Sequence, residues 1–128
     1  MNNQQAASAI QVSIEQLNDL IIDSITDIKG EKILKIDLRK IDDAPTDYFI
    51  ICEGSSNTQV SAIADNIRKR TKEEASIKPN HVEGNRSQTW VLLDYFDTVV
   101  HVFYRETRSF YDLEDLWSDG SFTEYDSL

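Results

Sequence analysis

Residues 90–104 read W-V-L-L-D-Y-F-D-T-V-V-H-V-F-Y. This is the densest apolar run in the chain. It is rich in β-branched and aromatic residues and broken once by short polar ones, the pattern of two strands joined by a tight turn. A two-residue turn at Phe96-Asp97 sets Tyr95 opposite Thr98. Counting outward, it pairs Leu93 with Val100, Leu92 with His101, Val91 with Val102 and Trp90 with Phe103. The strand period of two divides the hairpin into two faces. Val91, Leu93, Val100 and Val102 make an ordinary core face. Trp90, Leu92, Asp94, Val99, His101 and Phe103 make the other, where large rings sit beside polar groups, and this face is the candidate for function.

Upstream of the hairpin, residues 80–88 are polar around Gly84, with a short strand predicted at Val82-Glu83. Before them, Val60, Ile63, Ala64 and Ile67 recur at helical steps, and the helix is opened by an S-x-x-Q cap, Ser56 with Gln59. The turn Gly54-Ser55-Ser56 joins that helix to the run 47–53, D-Y-F-I-I-C-E, apolar nearly throughout as a central strand would be. Residues 32–38 alternate, Leu34, Ile36 and Leu38 against Lys35 and Asp37, and read as a strand with one wetter side. Ser13 with Gln16 forms a second cap, and Ile14, Leu17, Ile21, Ile25 and Ile28 make an amphipathic helix that ends at Lys29-Gly30. Residues 1–11 are expected to be a flexible tail.

Downstream of the hairpin, Thr107 or Asp112 can cap a short helix pair holding Phe110, Tyr111, Leu113, Leu116 and Trp117. Residues 118–128 are polar and acidic and read as a tail without a packing pattern. From position 105 to the end there are seven acids and two arginines, so this terminus is strongly electronegative. The whole is an α/β (α+β) domain over residues 12–117, with helices packed on a mixed sheet of about five strands.

With 128 residues and 40% apolar content the chain holds one domain with a real core. No run is long and apolar enough to span a bilayer, and no signal or presequence pattern opens it, so a cytoplasmic location is expected. The net charge of -10 disfavours a phosphate-gripping, nucleic-acid-binding protein. It suits a basic protein partner, or simply keeps the protein soluble.

Little in the chain suggests catalysis. The Gly54-Ser55-Ser56 turn offers amides that can hold a phosphate at a helix start, which makes a nucleotide-binding or nucleotidyl-transferring enzyme the alternative function. No D-x-D occurs in the strand after that helix, and Asp94 with Asp97 make no convincing metal pair. Cys52 is mid-strand, where burial raises a thiol's pKa rather than activating it. His81 lies in a polar loop, and His101, opposite Leu92 and diagonal to Asp94, reads as an imidazole oriented by that carboxylate. The two histidines have no local partner for zinc. No cofactor or metal is expected. Trp90, by contrast, sits on a face beside Asp94 and His101 that has the make-up of a protein-binding hot spot.

The runs D-Y-F-I-I-C-x-G-S-S (47–56), V-E-G (82–84), W-V-L-L-D-x-x-D-x-V-V-H-V-F (90–103) and Y-D-L-E-x-L-W (111–117) together resemble the ribosomal silencing factor, or Iojap-like, family over residues 13–117. The resemblance implies a nucleotidyltransferase-like fold without the catalytic carboxylates. It implies a translational repressor that is not an enzyme, binds ribosomal protein number fourteen of the large ribosomal subunit, and sterically blocks subunit joining when nutrients are scarce. Homodimers are implied as well. Candidate partner-binding residues are Trp90, Leu92, Asp94, Tyr95, Phe96, His101 and Phe103 of the hairpin, with Tyr111 and Glu114 beyond it. One departure stands out: the family usually has glycine where this chain has Phe96. Either the turn is longer than two residues, or Phe96 is strained and exposed, because a primed turn wants positive φ.

Overall fold

The computed structural model describes residues 12–125; the predicted flexible tail over 1–11 lies outside them. Helix α1 (Ile14–Asp27) begins as its residues predict: Ser13 Oγ accepts from the Gln16 amide (3.0 Å) and the Gln16 side chain accepts from the Ser13 amide (2.8 Å). Strands β1 (Glu31–Asp37) and β2 (Tyr48–Gly54) follow, then helix α2 (Asn57–Ala75), β3 (His81–Glu83), β4 (Trp90–Asp94) and β5 (Thr98–Tyr104). Short helices α3 (Arg105–Tyr111) and α4 (Leu113–Leu116) lead into β6 (Ser121–Tyr125). Asp112, not Thr107, is the capping residue of the pair, accepting from the Asp115 amide at the start of α4.

The six strands form one mixed sheet in the order β3-β4-β5-β2-β1-β6. Only β2 and β5 pair in parallel; the other neighbours are antiparallel. Strand β2 sits centrally and every residue in it is buried, which is why its sequence lacks alternation. Helices α1 and α2 cover one face, where Leu17, Ile21, Ile25, Ile63 and Ile67 pack on Ile50, Val91, Leu93, Val100 and Val102. The opposite face carries a thinner layer: Leu34, Ile36, Phe49, Ile51, Val99 and Phe103 lie under Ile41, Leu113 and Trp117.

Two readings of the sequence are corrected here. The sheet has six strands where about five were expected, and residues 121–125 are not a tail without a packing pattern. They pair with β1 from Ile33↔Tyr125 to Asp37↔Ser121. The strand was illegible because it is an outer edge with four of its five residues exposed, so no alternation of burial is written into it. Its pairing depends on the free edge of β1, far away in the chain.

Candidate partner-binding surface

Strand β4 is placed at its start by Gly84. This residue has φ +83°, and a Cβ there would collide with the Trp90 carbonyl oxygen, so the V-E-G turn requires glycine. From Trp90 the register runs as counted from the turn: Trp90↔Phe103, Leu92↔His101 and Asp94↔Val99. The turn is short despite its phenylalanine. Tyr95 N–H donates to the Thr98 carbonyl (2.8 Å) and Asp97 N–H to the Tyr95 carbonyl (3.0 Å). Phe96 is held at φ 75°, with its amide on Asp94 Oδ1 (2.8 Å) and its carbonyl on the Thr46 hydroxyl (2.6 Å). Its ring is 72% exposed. A bulky side chain at positive φ costs about 1 kcal/mol or more. We therefore expect Phe96→Gly to stabilise the fold by roughly 1 kcal/mol, seen as a rise of roughly 4 °C in melting temperature. An unchanged or lower melting temperature would show that the turn carries no strain.

The face opposite the helices is built on a chain of rings. The Trp90 indole lies 4.7 Å from the Tyr111 ring and 4.9 Å from Phe103, centroid to centroid, distances at which aromatic pairs attract. Its N–H donates to His101 Nδ1 at 3.1 Å, which fixes the indole's orientation. Tyr111 in turn meets Phe110 edge-on at 5.1 Å. Trp90 is half-buried, while Tyr111 is 51% and Phe110 81% exposed. With Ser87, Thr89, Glu106 and Thr107 these rings line an open groove of about 720 Å³. Ring surface of this kind, with polar neighbours, matches a binding hot spot.

The structure separates the nine candidate residues. Trp90, Leu92 and Asp94 are half-buried, Phe96 and Tyr111 are exposed, and all five can be touched from outside. Three others cannot. Phe103 is fully buried beneath Trp90. Tyr95 is buried on the helix side, its hydroxyl 2.9 Å from Thr71 Oγ1. His101 is buried against Phe49, the two rings edge to face with centroids 4.6 Å apart. Its orienting partner is the Trp90 indole rather than Asp94, whose carboxylate serves the turn. Burial pushes the His101 pKa down to about 4, so the ring is neutral and accepts through Nδ1.

Glu114 is partly exposed, but one of its carboxylate oxygens is buried and the other is engaged. Oε2 accepts from Arg108 Nε at 3.0 Å, and Arg108 also donates to the Lys32 carbonyl (2.7 Å) and to buried Glu53 (3.3 Å). Glu114 is thus a structural ligand of Arg108 more than a free charge on the rim. Two apolar residues escaped the sequence-based choice: Phe110 and Leu116, the latter 70% exposed. Their segment showed apolar residues at helical spacing, but spacing does not say whether a short helix turns them in or out.

At the Gly54-Ser55-Ser56 turn both serine hydroxyls and one amide are engaged within the turn itself. The Ser55 amide (2.7 Å) and hydroxyl (3.0 Å) both bond to Gln59 Oε1, and Ser56 Oγ accepts from the Gln59 amide. Gln59 Nε2 reaches back to the carbonyls of Ile28 and Lys29, tying the turn to the end of α1. Burial pushes the Cys52 thiol up to about 12, which makes it a poor nucleophile.

Comparison with known proteins adds an independent line. A family model described as "Ribosomal silencing factor during starvation" matches residues 11–128. A ribosomal silencing factor of Halalkalibacterium halodurans is 35% identical over 91% of this chain and 98% of its own length. The mouse protein named "Mitochondrial assembly of ribosomal large subunit protein 1" is 33% identical over 62% of this chain and 36% of its own length. A crystal structure of a Chromobacterium violaceum protein superposes with a TM-score of 0.80 at 34% identity, covering 91% of this chain and 94% of that one.

Proposed function

Because the chain belongs to the ribosomal silencing factor family, we propose that it is a cytoplasmic translational repressor without enzymatic activity. It binds the large ribosomal subunit through ribosomal protein number fourteen and keeps the small subunit from joining when nutrients are limiting. The observation that carries this reading is the Trp90–Tyr111–Phe110 ridge, ring surface left open on the sheet face that the helices do not cover. Trp90 is the natural anchor, because its N–H is already satisfied by His101 and its buried side rests on Phe103. A partner that covers the indole desolvates no unpaired polar group of that ring and orders a side chain that is already fixed.

Leu92, Asp94, Phe96 and Tyr111 complete the proposed contact set, with Phe110 added. The acidic balance of the chain suits a basic ribosomal protein and speeds correct encounter. The large subunit as target agrees with the name of the mouse relative. The reading is tested by sedimenting the protein with purified large subunits. Trp90→Ala should weaken binding by about 2 kcal/mol or more, roughly 30-fold, and relieve the block on subunit joining in a light-scattering assay. Full retention of both by Trp90→Ala would refute the assignment of this face.

A further inference from the structure

The charge of this protein is not spread evenly. On α2, Asp65, Arg68, Lys69 and Lys72 share a single helical stripe, with residues three or four apart on successive turns. Together with Lys78, Pro79 and Val82 they line a cleft of about 460 Å³ between the helix and the β3 edge. Four cations thus face one carboxylate in a chain of net charge -10. All four cations are exposed, and among the described residues none of them forms an ion pair.

The contrast lies within the same helix. Arg70 points the other way and is saturated by Asp23, Asp27 and Glu74 at 2.6–2.8 Å. Arg39, Arg105 and Arg108 are likewise paired. Stability of α2 does not explain the stripe. Like charges one turn apart, Arg68 and Lys72, repel. The helix dipole favours cations only in the last turn, which accounts for Lys72 but not for Arg68 or Lys69 in a helix ending at Ala75.

We propose that this cleft holds the phosphodiester backbone of ribosomal RNA on the large subunit, in a contact that reads charge and not sequence. The inference rests on the ribosome-binding function proposed above. The cleft lies on the α1–α2 side of the sheet, at the β3 edge that adjoins the proposed contact strand β4. Lys78 stands two residues before Asn80, whose amide donates to the Asp94 carbonyl (2.7 Å), and β3 pairs directly with β4. A protein seated through the β4–β5 face carries its basic stripe at the adjoining β3 edge, where a surface flanking the partner reaches it, and on a ribosome that surface includes RNA. At physiological salt, acids beyond about 8 Å are largely screened, so the local sign of the cleft outweighs the overall charge.

The test uses a variant with Arg68, Lys69, Lys72 and Lys78 all changed to Gln, which alters only exposed side chains. Two ligands are used, a fluorescein-labelled RNA hairpin and purified large subunits. For the hairpin, the wild type should bind at low salt, with log K falling at a slope of about -3 for four phosphate contacts. That is roughly a 60-fold loss between about 50 and 200 mM salt. The quadruple variant should bind at least ten-fold more weakly at the low end. Trp90→Ala should keep hairpin binding while losing large subunits. Equal hairpin binding by wild type and quadruple variant, or no binding by the wild type at low salt, overturns the proposal. Failure of the wild type to bind large subunits would instead sink the ribosome reading and leave the hairpin result standing.

Discussion

Arg108→Leu is expected to destabilise the protein by about 3–5 kcal/mol, the range for breaking a buried ion pair from one side. The guanidinium is 10% exposed and the Glu53 carboxylate 4%. Around them the chain brings three distant pieces together. Arg108 from α3 donates to Glu53 at the end of β2, to Glu114 on α4, and to the Lys32 carbonyl. That carbonyl is available because β1 breaks register with β2 between Glu31 and Leu34, with Lys32 at φ 50°, an irregularity of the β-bulge kind. Leucine fills much of the volume but leaves Glu53 with only Arg105, itself half-exposed, and leaves the Lys32 carbonyl unpaired. The measurement is the urea midpoint at constant slope. Adding Glu53→Gln to Arg108→Leu should recover part of the loss, because the uncompensated charge is then gone. A cost below about 1 kcal/mol for the single variant would mean that Arg105 and solvent neutralise Glu53 on their own.

The second large effect is a dependence of stability on pH centred on His101. In the unfolded chain its pKa is the ordinary 6.5; folded, burial lowers it to about 4. Between those values the unfolded state binds a proton that the folded state does not, so stability rises with pH across the window. Its full benefit is present above pH 6.5 and is lost as the pH falls towards 4, a difference of about 3 kcal/mol for one proton. Asp37 and Glu74, whose carboxyls are held low by Arg39 and Arg70, add acid sensitivity of the same sign only below the ordinary carboxylate range. The control is His101→Gln, whose amide can still accept from the Trp90 indole. It should flatten the fall between pH 6.5 and about 4.5 while leaving the carboxylate-driven loss at lower pH. An equally steep fall in the variant would place the proton elsewhere.

Much of the candidate surface was legible in the sequence. The hairpin register, the place of Trp90 on the face away from α1 and α2, the exposure of Phe96 and the Ser13–Gln16 box all follow from turn length, strand period and cap chemistry. What failed shares one cause. His101 and Phe103 belong to the same strand face as Leu92, yet they are closed off by neighbours from other parts of the chain, among them Phe49 over His101. Phe110 turned outward, and Glu114 turned toward Arg108, for reasons set by how α3 and α4 land on the sheet.

By itself, then, the sequence determined where strands and helices begin, which residues face each other in the hairpin, and which family the motifs resemble, because each rests on neighbours in the chain. Only the tertiary structure decided which rings of that face stay open, that residues 121–125 add a sixth strand, and that four cations gather in one cleft of an acidic protein. Those outcomes depend on contacts between segments far apart in sequence, and no local pattern carries the free energy of a partner that arrives from elsewhere in the fold.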